Sequence, residues 1–203
     1  MVSSIVRLIA ITDNVRDGQN GLIARAAAAV RGGATMIQLR LKEVAARDLV
    51  GLARELVTSA GAPVIVNDRA DIAIAAGAAG VHLGPEDLTP GAVRVFAPTG
   101  FIVGASVGSD EEVAYATGAD YIGVGPLFAT GSKKDAGKAI GVDEFARLAA
   151  LCGLPAVGIG GVTAENARSV IDRGAAGVAV IASVFGANDP QSAAREILSA
   201  IGK

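Results

Sequence analysis

Short apolar runs alternate along the chain with longer segments rich in Ala and Leu. Four of the runs follow a Gly-Ala pair: Gly33-Ala34 before Met36-Ile37-Gln38-Leu39-Arg40, Gly77-Ala78 before Gly80-Val81-His82-Leu83, Gly118-Ala119 before Tyr121-Ile122-Gly123-Val124, and Gly174-Ala175 before Gly177-Val178-Ala179-Val180-Ile181. Each run is about the length of a strand and apolar at almost every position, as a parallel strand covered on both faces requires. Each Gly stands where a preceding helix should end, because only Gly enters the left-handed conformation cheaply. Residues 6–11, 64–67 after Pro63, 101–104 after Pro98-Thr99-Gly100, and 156–159 after Pro155 complete a set of eight predicted strands.

Helical patterns fill the intervals at 22–31, 45–60, 142–151, 164–173 and 191–201. In the second, Leu49, Leu52, Ala53 and Leu56 fall on one face. Thr163 is the predicted N-cap of the fourth. Strands alternating with helices predict a parallel sheet. Eight such units in one chain predict a closed (β/α)8 TIM barrel forming one domain over 1–203, at the compact end of that fold. An open doubly wound sheet is the competing architecture, but no Gly-rich dinucleotide fingerprint follows the first strand.

Composition narrows the partners. With 51% hydrophobic and 19% charged residues, the 203-residue chain can bury a sizeable core and is expected to be soluble. A net charge of −2 is expected of a protein without a nucleic-acid partner. No secretory signal and no bilayer-length apolar stretch is visible, so no membrane partner is expected. Cys152 is the only cysteine and is read as a small core residue. A reducing, cytoplasmic setting fits these features.

Active sites of such barrels lie at the C-terminal ends of the strands. The polar residues of this chain fall there: Gln38, Arg40 and Lys42 where the second strand ends, Asn67 and Asp68 where the third ends, Asp87 after the fourth, and Ser106 where the fifth ends. The segment Thr130-Gly131-Ser132-Lys133 follows the sixth strand and Gly160-Gly161 the seventh. Arg40, Lys42 and Lys133 offer fixed positive charge for phosphate. Asp68 and Asp87, on adjacent strand ends, can share a hard cation such as Mg2+. Gly160-Gly161, read as preceding a helix start, is a natural phosphate seat. His82, inside an apolar strand, reads as a satisfied core residue, and Asp110, Glu111 and Glu112 read as helix-start or surface acids.

These motifs, in this order, resemble the thiamine-phosphate synthase family over nearly the whole chain. The resemblance is carried by Gln38-Leu39-Arg40-Leu41-Lys42, Asn67-Asp68-Arg69, Val81-His82-Leu83-Gly84-Pro85-Glu86-Asp87, Gly123-Val124-Gly125-Pro126, Thr130-Gly131-Ser132-Lys133 and Ile159-Gly160-Gly161-Val162. It implies a transferase that joins hydroxymethylpyrimidine diphosphate to a thiazole phosphate and releases pyrophosphate. It also implies Mg2+ at Asp68 and Asp87, and the pyrimidine diphosphate at Gln38, Arg40, Lys42, Asn67 and Ser106. The thiazole phosphate would meet Thr130, Gly131, Ser132, Gly161, Ile181 and Ala182. Lys133, Arg40 and Ser106 are the implied catalytic residues. The chain departs from the family pattern at Leu41, Pro85, Gly108 and Ala182, where a serine is usual and Ser183 follows one place on. The related thiazole tautomerase and a non-catalytic phosphate-binding barrel are the alternatives; phosphorylated small molecules are the expected partners in each case, and a homodimer is left open.

Overall fold

The computed structural model describes residues 2–12, 17–42, 44–131 and 138–202. Eight strands, β1 (Leu8–Ile11), β2 (Met36–Leu39), β3 (Val64–Asn67), β4 (Gly80–Leu83), β5 (Ile102–Val107), β6 (Tyr121–Val124), β7 (Ala156–Ile159) and β8 (Gly177–Val180), pair in parallel as one closed barrel. The described helices are α1 (Val2–Ile5), α2 (Gly18–Arg31), α3 (Ala46–Ser59), α4 (Ala70–Ala76), α5 (Pro90–Arg94), α6 (Asp110–Tyr115), α7 (Gly141–Cys152), α8 (Ala167–Ile171), α9 (Ala182–Phe185) and α10 (Pro190–Ala200).

Strand alternation divides the core in two. Ile9, Ile11, Met36, Ile65, Tyr121 and Val157 fill the barrel interior. Their strand neighbours Leu8, Ala10, Ile37, Val64, Val66 and Ile122 face the helical layer, where Leu22, Leu52, Leu56, Phe145 and Leu148 are buried against them. Both faces of every strand are therefore covered, and this is why the runs are apolar throughout. All four Gly-Ala glycines have positive φ, from 70° at Gly77 to 110° at Gly33. Gly77 closes α4 in the left-handed region, at φ 70° and ψ 27°.

The boundaries differ from the sequence reading where short-range packing intervenes. β1 starts at Leu8 rather than residue 6, because α1 turns ahead of it and the Val6 N–H donates to the Val2 carbonyl (3.1 Å). Val6 is fully buried, and Val2 and Ile5 pack with it against the interior cluster. β5 runs on to Val107, so Ser106 lies within the strand, paired with Gly123 of β6. α8 begins at Ala167, and Thr163 is not its N-cap. Asn166 folds back there instead, accepting from the Thr163 N–H (2.9 Å) and donating to the Gly161 carbonyl (3.0 Å). α4, α5 and α6 have no counterpart among the predicted helices, since five to seven residues carry too little periodicity to register. Asp110, Glu111 and Glu112 do form the first turn of α6, as helix-start acids. Cys152 is half-buried against the core. Among the described residues, no helix is long and apolar enough to cross a membrane.

The layering predicts unequal costs for two leucine truncations. Leu56→Ala, at a fully buried position, should destabilise by about 2–5 kcal/mol. Leu151→Ala, at a position 54% exposed, should stay within about 0.5 kcal/mol. Denaturant unfolding of both variants checks this; equal losses would contradict the packing.

Candidate functional site

The C-terminal rim is assembled by continuing each strand's inward-facing parity past its last residue. On β2, Gln38 follows Met36 on the inner face and is 3% exposed. The fully buried Thr12 pins this segment: its N–H donates to the Gln38 carbonyl (3.0 Å), its Oγ1 accepts from the Arg40 N–H (2.8 Å) and donates to the Arg40 carbonyl (2.9 Å). Arg40 therefore leaves the barrel from a backbone held on two sides. Lys42 lies two residues on, exposed.

Asn67 ends β3 on the inner face, opposite His82. Asp68 follows with φ 65°, the one non-glycine residue with positive φ among those described. Asp tolerates this region better than most residues, though it still costs conformational energy. The turn extends the β3–β4 ladder, because the Asp68 N–H donates to the His82 carbonyl (2.7 Å). The neighbouring Arg69 guanidinium forks onto Asp71 (2.8 and 2.6 Å) and holds that carboxyl below its usual range. After β4 the chain doubles back, so that Asp87 Oδ2 accepts from the Gly84 N–H (2.7 Å). Asp68 and Asp87 thus lie on adjacent strand ends. Among the described residues, no group of three or more His, Cys, Asp or Glu side chains is arranged to hold a metal. A cation here would rest on two carboxylates and on oxygens from elsewhere, a donor set that suits Mg2+ with a bound phosphate.

Inside the mouth, His82 bridges two hydroxyls. Its Nδ1 lies 3.0 Å from Tyr121 Oη and its Nε2 lies 3.1 Å from Ser106 Oγ. It is a satisfied, buried residue, as expected, but one that reaches a site residue. Burial is the main cause that pushes the Tyr121 hydroxyl far above its ordinary range, with Asp120 adding to it.

The opposite sector of the rim comes from β6, β7 and β8. The segment after β6 is tied to the end of β7: the Leu127 N–H donates to the Ile159 carbonyl (2.9 Å) and the Phe128 N–H to the Gly160 carbonyl (3.0 Å). Thr130 is half-buried and Gly131 exposed at the end of this segment. Ser132 and Lys133 lie outside the described residues. Gly161, at φ 66°, sits so close beneath the segment that a Cβ would fall 2.6 Å from the Ala129 carbonyl. It stands six residues ahead of α8, so the phosphate seat expected there has loop N–H groups and not the start of that helix. Beyond β8, Ile181 is buried and Ala182 is exposed at the start of α9. Ser183, one place on from the serine missing at 182, donates its Oγ–H to the Val162 carbonyl (2.5 Å) and joins the loops after β7 and β8.

The rim therefore gathers Gln38, Arg40, Asn67, Asp68, Asp87 and Ser106 in one sector, and Thr130, Gly131, Gly161, Ile181 and Ala182 in the other. A surface hollow between α3 and α4, lined by Val50, Arg54, Asp71 and Ile72, includes none of these residues in its lining. Thr12, His82 and Tyr121 are the contributors to this site that sequence reasoning missed.

A family model described as thiamine monophosphate synthase matches residues 8–184. The chain belongs to the thiamine monophosphate synthase family. Among its relatives, a thiamine-phosphate synthase of Methanoculleus marisnigri is 53% identical over 180 residues, covering 86% of this chain and 84% of that protein. One from Azorhizobium caulinodans is 44% identical over 199 residues, covering 96% and 94%. The solved thiamine phosphate pyrophosphorylase of Pyrococcus furiosus superposes with a TM-score of 0.87 at 35% identity, covering 99% of this chain and 98% of that one. A 3-hexulose-6-phosphate synthase, at 20% identity and a TM-score of 0.77, shares the fold. The described parts of the motifs that carry the resemblance sit at the strand ends, where the barrel's geometry brings polar groups together.

Gly161→Ala tests the close approach at the seventh strand end. The new Cβ meets backbone that cannot move freely, whereas at Gly153, with a similar φ of 71°, nothing lies within 4 Å. Gly153→Ala should lose about 1 kcal/mol from backbone strain alone, and Gly161→Ala clearly more. Equal melting temperatures for the two variants would contradict the contact.

Proposed function

We propose that the chain is a thiamine-phosphate synthase, a transferase that joins 4-amino-5-hydroxymethyl-2-methylpyrimidine diphosphate to a thiazole phosphate, giving thiamine monophosphate and pyrophosphate. The observation that carries this reading is a rim in two sectors, cationic and carboxylate-bearing at β2–β4 and donor-rich at β6–β8, in a chain of this family. In this reading the pyrimidine diphosphate lies against Gln38, Arg40, Lys42, Asn67 and Ser106. The thiazole phosphate lies against Thr130, Gly131, Ser132, Gly161, Ile181 and Ala182.

The reaction then proceeds without a protein nucleophile. The bond between the pyrimidine methylene and the diphosphate oxygen breaks, and pyrophosphate leaves with the electron pair. The electron-rich aminopyrimidine spreads the positive charge left on the methylene, and the thiazole nitrogen forms the new C–N bond. The protein supplies positioning and charge. Arg40, Lys42 and Lys133 meet the negative charge that grows on the leaving group, where preformed interactions accelerate most. Mg2+ held by Asp68 and Asp87 would offset the same charge. The enzyme acts on phosphorylated small molecules in the cytoplasm, with neither nucleic acid nor membrane as partner.

Release of pyrophosphate should require both substrates and a divalent cation. Purified protein stripped with EDTA should be inactive and recover with added Mg2+. Full turnover after verified metal removal would overturn the cation assignment, and no turnover under any metal would favour the tautomerase or the non-catalytic barrel.

Lys133→Ala should lower kcat by roughly a hundred- to a thousandfold and leave the melting temperature nearly unchanged, with Lys134→Ala much milder. Near-normal kcat in Lys133→Ala, or a loss that tracks unfolding, would remove Lys133 from the machinery.

A further inference from the structure

Tyr121, His82 and Ser106 form a chain of contacts that climbs from the barrel interior to its mouth. Tyr121 is the first residue of β6 and is 1% exposed. Its ring crosses over Gly104 of β5, where any Cβ would lie 2.5 Å from the phenol oxygen. His82 stands level with Gly104 by register, and Ser106 lies two residues nearer the rim. Gly123 opposite leaves room for the imidazole, since a Cβ there would come within 3.1 Å of His82 Cε1. Two glycines on two strands are therefore shaped around this one pair of side chains.

The hydrogen-bond count orders the protons. A neutral imidazole has one donor and one acceptor nitrogen, and each nitrogen of His82 has a hydroxyl partner. Among the described residues, His82 is the hydrogen-bond partner of the Tyr121 hydroxyl, and no buried side-chain polar atom lacks a partner. If Nδ1 carried a proton, Tyr121 Oη would have to accept, and its own buried O–H would have no acceptor. An imidazolium would leave it in the same position. An unsatisfied buried donor costs more than a hydrogen bond contributes. The consistent arrangement has Tyr121 O–H donating to Nδ1 and Nε2–H donating to Ser106 Oγ. Burial keeps the Tyr121 proton in place by raising its pKa. Ser106, already accepting, is left with its own O–H to give.

We propose that Tyr121 and His82 are positioning residues that fix Ser106 as a hydrogen-bond donor toward the barrel mouth, so that the site selects a ligand presenting a lone pair, such as a ring nitrogen, at that point. The inference rests on the reading of Ser106 as a pyrimidine contact. Neither residue touches the reacting atoms; each acts through the serine. A hydroxyl with a fixed direction and a fixed role discriminates between heterocycles better than one that rotates between donating and accepting.

His82 is the only histidine in the chain, so protein labelled with 15N-histidine gives one imidazole signal set. At neutral pH the unliganded enzyme should show the tautomer protonated at Nε2, and Tyr121→Phe should weaken that preference. A proton on Nδ1, or an imidazolium, overturns the proposal, and this result needs no active enzyme. In kinetics, Tyr121→Phe should lower kcat/KM for the pyrimidine diphosphate by about three- to tenfold. In a Ser106→Ala background the same change should have less than about a twofold effect. A purely structural role for Tyr121 would give the same loss in both backgrounds and would also overturn the proposal. If wild-type protein forms no thiamine phosphate while the Nε2 tautomer is seen, the assigned reaction fails and the relay stands.

Discussion

Leu8, Ile9 and Ala10 pair with Val178, Ala179 and Val180, and this ladder turns the other strand pairings into a ring. An open sheet would leave β1 and β8 as unpaired edges and spread the strand ends along a line. Closure brings those ends to one mouth, so residues as distant in sequence as Gln38 and Ala182 share a rim. It also makes an interior that must be filled, and the chain fills it unevenly. Aliphatic side chains pack around Tyr121 in the interior, while Gln38, Asn67, His82 and Ser106 take the inward positions nearer the mouth. The site begins where the apolar filling stops.

The same closure explains how backbone is held at the rim. Thr12 uses both hydrogen-bonding roles of its hydroxyl on Arg40. The turn at Asp68 adds one more rung to the β3–β4 ladder. Ser183 joins the loops after β7 and β8 through the Val162 carbonyl. Each is a local interaction that exists because the barrel has already set two strand ends side by side. Charge alone would leave Arg40 and the carboxylates loosely aimed; these contacts fix the backbone from which they extend.

Much of this was legible in the sequence. The four Gly-Ala pairs marked strand entries correctly, and the short doubly apolar runs located all eight strands, because a strand covered on both faces has no other composition open to it. The placement of the described polar residues at the strand ends was legible for the same reason, since polar residues at the ends of such runs have nowhere else to face. Less was legible where a contact spans the barrel. Thr12 looks like any threonine after a strand until Arg40 is set beside it. Asn166, and not Thr163, organises the turn before α8 because its amide bonds in both directions. His82 was read as a core residue, which it is; that it also reaches Ser106 depends on Tyr121 crossing a glycine on the neighbouring strand. Ser183 reads in the sequence as a displaced copy of the serine absent at 182, and its bond to the Val162 carbonyl is visible only in the fold.

In the proposed reaction one rim holds two phosphorylated ligands in separate sectors. A crystal structure with a non-reactive pyrimidine diphosphate analogue and the thiazole phosphate tests it most directly. Diphosphate density is expected against Arg40, Asn67, Asp68 and Asp87, with the single phosphate against Gly161 and Ala182. Well-occupied ligand elsewhere, for example in the hollow between α3 and α4, with the rim empty, would contradict it.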